Sequence, residues 1–408
     1  YGRAVGSGGG SATILGQNAG ASPSNAALVN GGLIHSLEYD DTHTASVVHG
    51  SSVLAPAALA VAQSVGASGL AMMRAYVLWY EVLIRLGLAA KGGYQARGFQ
   101  ITSVGGAIAA AGVAADLYGI EAERASAALG ISLSQASGVF EFLSNGSSVK
   151  SMHPGWAAHA GLIAADLARV GITGPRTALE GRFGLLNQFA DTDDALPRLE
   201  EIIGTLGNEW HLLDVAFKFF PACHYIHPFA EAAGRLAEAG VSADQISELV
   251  FHVPPPTAPI ICEPWDVRKK SKLHAARWSL PVCFAIRMVT GKLDLASFEI
   301  DPPEQAMALA SRCEWRAMTS HHFPDRFEAG VTAKLKSGDQ REIYIDDVYG
   351  NSSRPADEAD IMAKLRDNAA RLGKTALVSR LCDVLGAIDT KRGPVDLGNV
   401  LNEFSEEA

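Results

Sequence analysis

The sequence predicts a mainly α protein into which a smaller α+β domain is inserted. A large all-helical domain is expected from both ends of the chain, residues 1–221 and 353–408, with the α+β domain at 222–352. Three observations lead there. From Ala26 to Val170, apolar residues recur at helical spacing in long Ala-rich runs. After Leu212 the texture changes to Pro- and aromatic-rich stretches and alternating apolar runs. From Asp357 the helical spacing resumes.

Tyr1 to Ser24 reads as a Gly/Ser-rich loop with one short strand or turn at Ala12–Gly16. A helix is expected at Ala26–Leu37, where Ala26, Ala27, Gly31 and Gly32 permit close packing. The stretch NGGLIHSLEYDDTHTASVVHGSSVLAP, from Asn30 to Pro56, gathers Glu38, Asp40, Asp41, His43 and His49 on an irregular loop ahead of a helix at Ser52–Val65. Loops held by rigid elements often carry function, although Asp41, Thr42 and Ser51 also suit turns and caps. Leu70–Ala90 is a third helix, with Glu81 and Arg85 spaced as a structural bridge. YQARGFQITS (94–103) is polar, and helices follow at Thr102–Tyr118 and Ala122–Gly138.

FEFLSNGSSVKSMHPG (140–155) is a second loop, carrying Lys150 and His153. Pro154 fits the first turn of a helix running to Val170, and Gly171 fits its C-cap. VAFKFFPACHYIH (215–227) sets Lys218, Cys223, His224 and His227 around Pro221. Beyond it come a helix at Pro228–Ala239, a strand at Ile246–Val253 and a helix at Lys272–Thr290. Paired strands at Phe327–Leu335 and Gln340–Val348 are joined by Ser337-Gly338-Asp339. Helices at Asp357–Leu372 and Ala376–Leu385 precede a loose polar tail from Lys391.

Composition narrows the function. At 408 residues, 48% hydrophobic and only 19% charged, the chain can bury a substantial core. A net charge of -10 without a Lys/Arg run argues against nucleic acid or an anionic membrane as the main partner. Five scattered cysteines without C-x-x-C argue against a disulfide framework or thiolate zinc site and fit a reducing cytoplasm. The opening residues lack the apolar core of a signal peptide, and the apolar run at Gly105–Ala115 is too short and Gly-rich to span a bilayer. No G-x-S-x-G or G-x-G-x-x-G occurs in the required setting. His224-x-x-His227 with Asp40, Asp41 and His43 is the rival metal reading, but His-Glu-x-x-His is absent and no metal is expected. Lysines clamp carboxylates, and histidine moves protons near neutral pH. The three polar loops therefore suit proton abstraction, elimination or epimerisation on a small polycarboxylate.

NGGLIHSLEYDDTH, the E-V-x-x-R of the third helix, RGFQITSVGGAIAAA, KSMHPGWAAHAG, FKFFPACHYIH and ARWSLPVCFAI before DLASFEID together resemble the MmgE/PrpD superfamily, over nearly the whole chain. That family includes 2-methylcitrate dehydratase, cis-aconitate decarboxylase and iminodisuccinate epimerase. The resemblance implies a helical domain with an α+β lid, a site in the cleft between them, no cofactor, and a homodimer. It also implies a helical segment ahead of Tyr1, which is then not the natural start. Residue by residue, it matches Thr42, His49 as base, Lys150 and Lys218 as anion clamps, and Glu38 where the family usually has Asp; with Glu38 and Thr42, Asp41, Gln100 and His153 are the expected substrate-binding groups. Cys223 is an acid, a base or a small buried group. Gln100 stands where dehydratase and decarboxylase members carry His. Cys223 stands where the decarboxylase has His, and Val282 where it has Tyr, which disfavours cis-aconitate decarboxylation. The expected activity is a 2-methylcitrate dehydratase-like hydro-lyase; the alternatives are a dicarboxylate epimerase and a carboxylate-binding member without turnover.

Overall fold

The computed structural model describes residues 9–17, 20–190 and 193–405. Residues 1–8 and 18–19 of the expected opening loop and the last three residues of the expected tail lie outside the described residues. Ala12 and Ala21 form an isolated antiparallel bridge, and a tight turn lies between them.

Helix α1 (Pro23–His35) starts at Ser22, whose hydroxyl accepts from the Asn25 amide at 3.4 Å. It packs on α2 (Ser51–Val65) and on α6 (Met152–Arg169). Between these lie α3 (Gly69–Ala90), α4 (Ile101–Tyr118) and α5 (Ala122–Leu133). Small residues set the spacing. A Cβ on Gly31 would stand 2.7 Å from Gly155 Cα and 2.8 Å from the Ser52 carbonyl, so α1, α2 and α6 meet almost backbone to backbone. Gly31→Ala is therefore expected to cost about 1–3 kcal/mol of stability by overpacking. A lowered denaturation midpoint checks this; an unchanged midpoint would contradict the packing.

Helix α4 is buried on all sides from Ile101 to Ala115, as expected of a helix apolar all round. By length and composition it could cross a membrane, so the apolar run is longer than its sequence suggested, but 83% of it is buried inside the protein. Glu81 and Arg85 are fully buried 3.4 Å apart. Arg85 also bonds the Ile202 and Glu209 carbonyls, and Glu81 accepts from the Leu212 amide, so this pair is structural. Helix α5 ends at Leu133, short of the expected Gly138. The Gly138 carbonyl accepts from the Gln100 amide at 2.9 Å, which draws the chain out of the helix.

Helix α7 (Ala195–Ile203) is a segment the sequence did not announce, and the supposed irregular acidic loop between α1 and α2 proves to contain a strand. Strand β1 (Asp41–His43) pairs antiparallel with β2 (Val215–Phe217), Asp41 opposite Phe217 and His43 opposite Val215. A second apolar core runs from Ala222 to Val348. It holds α8 (His227–Glu238), β3 (Ile246–Val253), α9 (Leu280–Thr290), α10 (Glu304–Ser311), β4 (Cys313–Ala317), β5 (Ala329–Leu335) and β6 (Gln340–Ile345). The sheet order is β4-β3-β5-β6, with β4 parallel to β3 and the other pairs antiparallel. The expected helix at Lys272–Thr290 is broken. Only Leu273–Ala276 forms a turn; Ser279 caps α9, and the Arg277 carbonyl leaves to accept from the Cys223 amide at 2.8 Å.

The chain closes with α11 (Glu358–Arg371), α12 (Leu377–Gly386) and α13 (Gly393–Glu403). Helix α13 corrects the expectation of a loose tail. The Thr390 carbonyl accepts from Gly69, the Pro394 carbonyl accepts from Gln63 at 3.0 Å, and Val400 is fully buried.

Candidate active site

The β1–β2 pairing brings the stretch from Glu38 to His49 beside Lys218. A small cleft opens there, between the helical layer and the second core. Of the nine residues singled out from sequence, Glu38, Thr42, His49, Gln100, Lys150 and Cys223 line it. Lys218, His153 and Asp41 stand outside its lining.

His49 is the best-defined group. Its Nδ1 lies 2.9 Å from the Asp41 carbonyl and 3.0 Å from Thr42 Oγ1. A carbonyl only accepts, so Nδ1 carries the proton and Nε2 keeps the lone pair, on a ring that lines the cleft. The Thr102 hydroxyl accepts from the His49 amide at 3.0 Å and fixes the backbone. Burial, aided by the Lys218 charge, pushes the imidazole down to about 3, so it is neutral at physiological pH and its Nε2 lone pair is unprotonated.

Behind it lies a compact ion cluster. Glu38 bonds Lys150 through one oxygen and meets Lys218 through the other at 3.3 Å. Lys218 is fully buried and also reaches Asp40 at 3.3 Å. His35 Nδ1 lies 2.6 Å from Asp40. Burial alone would raise both acids, but Lys150 and Lys218 at Glu38, and His35 and Lys218 at Asp40, hold the carboxyls well below their usual range. Burial opposes the charge on Lys218 too, and Asp40 and Glu38 raise its pKa regardless. Lys218 thus holds the cluster together from behind, whereas Lys150 stands on the wall 5.4 Å from the centre of the Trp278 ring.

Gln100 is locked at both ends. Its Oε1 accepts from His153 Nδ1 at 2.7 Å, and its Nε2 lies 3.3 Å from His35 Nε2. A polar chain Asp40–His35–Gln100–His153 thus forms, and His153 positions Gln100 from outside the lining. Asp41 is turned away: Ser51 and Tyr80 hydroxyls each donate to Oδ2 at 2.5 Å, and burial raises its pKa.

From the second core come Cys223, His224, Tyr225, Ile260, Trp278 and Phe327. Burial pushes the Cys223 thiol up to about 11, so it stays S–H. His224 and His227 rings lie 4.5 Å apart, but among the described residues no three His, Cys, Asp or Glu side chains are grouped to hold a metal. Sequence reasoning missed His35, which sits at the end of α1, and the wall role of His224. The one available signal was the position of both within polar stretches already singled out.

Comparison with known proteins agrees with this architecture. The MmgE/PrpD N-terminal domain profile matches residues 3–197, and the MmgE/PrpD C-terminal domain profile matches residues 220–383. A cis-aconitate decarboxylase-like protein, oryM, of Aspergillus oryzae is 33% identical over 235 residues, 55% of this chain and 48% of that protein. Human cis-aconitate decarboxylase is 28% identical over 372 residues, 86% of this chain and 73% of its own length. The cis-aconitate decarboxylase of Aspergillus terreus is 29% identical over 236 residues, 56% of this chain and 48% of its own length. The match thus spans about half the length of each fungal relative.

Proposed function

The chain belongs to the MmgE/PrpD family, and from that membership and the cleft geometry we propose that it is a lyase acting on a small carboxylate without a cofactor. The observation that carries the reading is His49, held with Nδ1 on a carbonyl and Nε2 free, lining the same cleft as the Lys150 ammonium. His49 Nε2 takes a proton from the carbon next to the substrate carboxylate. Lys150 stabilises the enolate charge that develops. The C–H electrons form the double bond as the C–O bond on the neighbouring carbon breaks, and the His49 imidazolium returns its proton to the departing hydroxide as water.

Relatives named for decarboxylating cis-aconitate support the lyase class. Loss of water is favoured over loss of carbon dioxide because Gln100, bonded at both ends, carries no transferable proton. A 2-methylcitrate dehydratase-like reaction has this form. A second reading, epimerisation, draws on the Cys223 S–H. It stands on the wall supplied by the second core and can return a proton after His49 removes one.

Proton NMR in deuterated water with a panel of hydroxy-, amino- and unsaturated carboxylates tests the proposal. Deuterium entering beside a carboxylate together with an alkene signal is expected. Exchange with inversion and no alkene would establish the epimerase. Ligand line broadening without any exchange would overturn both in favour of a binding protein.

A further inference from the structure

Two tyrosines of helix α3, Tyr76 and Tyr80, face the segment that carries His49. Tyr80 is fully buried, and its hydroxyl makes two bonds: it donates to Asp41 Oδ2 at 2.5 Å and accepts from the Gly50 amide at 3.2 Å. Asp41 supplies the carbonyl that accepts from His49 Nδ1, and Gly50 follows His49 directly in the chain. One phenol therefore ties the backbone on both sides of His49. The chain leaves room for it: a Cβ on Gly50 would lie 2.1 Å from the Tyr80 ring, so the ring rests against bare backbone.

The bonds around Asp41 have a settled direction. The Ser51 and Tyr80 hydroxyls both donate to Oδ2, which leaves Ser51 Oγ to accept from the Tyr76 hydroxyl at 2.8 Å. Oδ1 is buried without a partner, so the hydroxyls on Oδ2 are the anchor of this side chain. Asp41 stands outside the cleft lining and is the first residue of a strand only three residues long, so the β-ladder gives its peptide group little support. Yet that peptide group decides which nitrogen of His49 is bare. The Thr42 hydroxyl, 3.0 Å from Nδ1, can donate as well as accept and does not choose between tautomers; the Asp41 carbonyl only accepts and does.

We propose that Tyr80 is a positioning residue of this site: through the Asp41 side chain and the Gly50 amide it holds the Asp41 carbonyl on His49 Nδ1, and so keeps Nε2 as the bare nitrogen. This rests on His49 being the base of the reaction proposed above. Without the anchor the carbonyl turns away, and the imidazole also takes up the Nε2–H form, whose Nε2 cannot remove a proton. Tyr80 touches neither the cleft nor the His49 ring, and its effect passes entirely through the backbone.

Tyr80→Phe removes the hydroxyl and leaves the ring. With an acid that exchanges deuterium, kcat is expected to fall about 10- to 10²-fold, as for a misplaced reacting group. KM should change little, since Lys150 is untouched. Imidazole nitrogen NMR of the full chain labelled at histidine gives a readout free of turnover. The His49 signals, identified by their loss in His49→Ala, should show Nδ1–H in the native chain and a share of Nε2–H in Tyr80→Phe. Asp41→Asn, which keeps an oxygen for both hydroxyls, should lose less kcat than Asp41→Ala, and this pair carries the test if Tyr80→Phe does not fold. Unchanged His49 signals in Tyr80→Phe, with only a lowered denaturation midpoint, would make the phenol merely structural and overturn the proposal. Equal losses in Asp41→Asn and Asp41→Ala would overturn it as well, by showing that the charge matters and not the anchor. The functional reading fails separately. If the native chain exchanges deuterium into no acid, or if the tautomer shifts while kcat holds, His49 is not the base, and the nitrogen signals still decide what Tyr80 positions.

Discussion

Replacing His49 with alanine is expected to lower turnover by about 10²–10⁴-fold, the usual contribution of a positioned general base. The ring is fixed by three contacts, from the Asp41 carbonyl, the Thr42 hydroxyl and, through the backbone, Thr102. Its Nε2 is the uncommitted nitrogen, lining the same cleft as Lys150, which offers the charge for a developing enolate. Carboxylate affinity should change little, because the anion is held by Lys150. With whichever acid first shows exchange, the loss should fall on kcat and on the rate of deuterium entry alike. Unchanged exchange would remove His49 from the reaction. Because burial pushes its pKa to about 3, kcat/KM should also show no acid limb near the ordinary histidine value of 6.5 from this residue.

The second large effect is acid lability. Burial depresses His43 and His153 to about 4 and His49 and His227 to about 3, and holds His224 well below its ordinary value. Above pH 6.5 these imidazoles are neutral whether the chain is folded or not, and they leave stability unchanged. As pH falls below 6.5 the unfolded chain binds protons that the folded chain excludes, so stability declines until the folded values are reached. Each such proton contributes about 1.4 kcal/mol per pH unit, and several together amount to several kcal/mol per unit. Set against a typical net stability of about 5–15 kcal/mol, a shift from pH 6.5 to 4.5 should unfold much of the population. Glu38 and Asp40, held as carboxylates, add to the loss at still lower pH. Denaturant midpoints between pH 5 and 7 should report the uptake of several protons on unfolding; a slope of less than one would contradict the burial of these rings.

Much of this was legible in residue order. Glu38, Thr42 and His49 stood out because acids and histidines crowded a loop between helices, and the β3 strand and the β5–β6 hairpin followed from alternation and the Ser-Gly-Asp turn. What remained hidden depended on register. Asp40 and Asp41 are neighbours with the same side chain, yet they go opposite ways at the start of β1, Asp40 to His35 and Lys218, Asp41 to Ser51 and Tyr80. No local signal distinguishes them, since β1 and β2 are three residues each and pair across some 170 positions. Lys218 read as a cleft cation because burial cannot be judged for one lysine beside phenylalanines; the two acids that compensate it come from the segment leading into β1. The helix α13 was missed because its glycines and polar residues look like a loop. Gly398 is in fact demanded by contact, a Cβ there meeting Gln63 at 2.3 Å.

Lys364, on α11, donates to the carbonyls of Tyr39 at 2.9 Å and Lys218 at 2.7 Å, and its ammonium sits 3.9 Å from the centre of the Tyr39 ring. These carbonyls belong to the two strands of chain that supply the ion cluster. A donor 325 positions downstream of its acceptor has a temporal meaning. On the ribosome, the helices that frame the cleft emerge and can pack long before Lys364 is made. The tie between these two segments is therefore among the last contacts of the molecule to form, and a nascent chain arrested before α11 would hold the cleft framework without it.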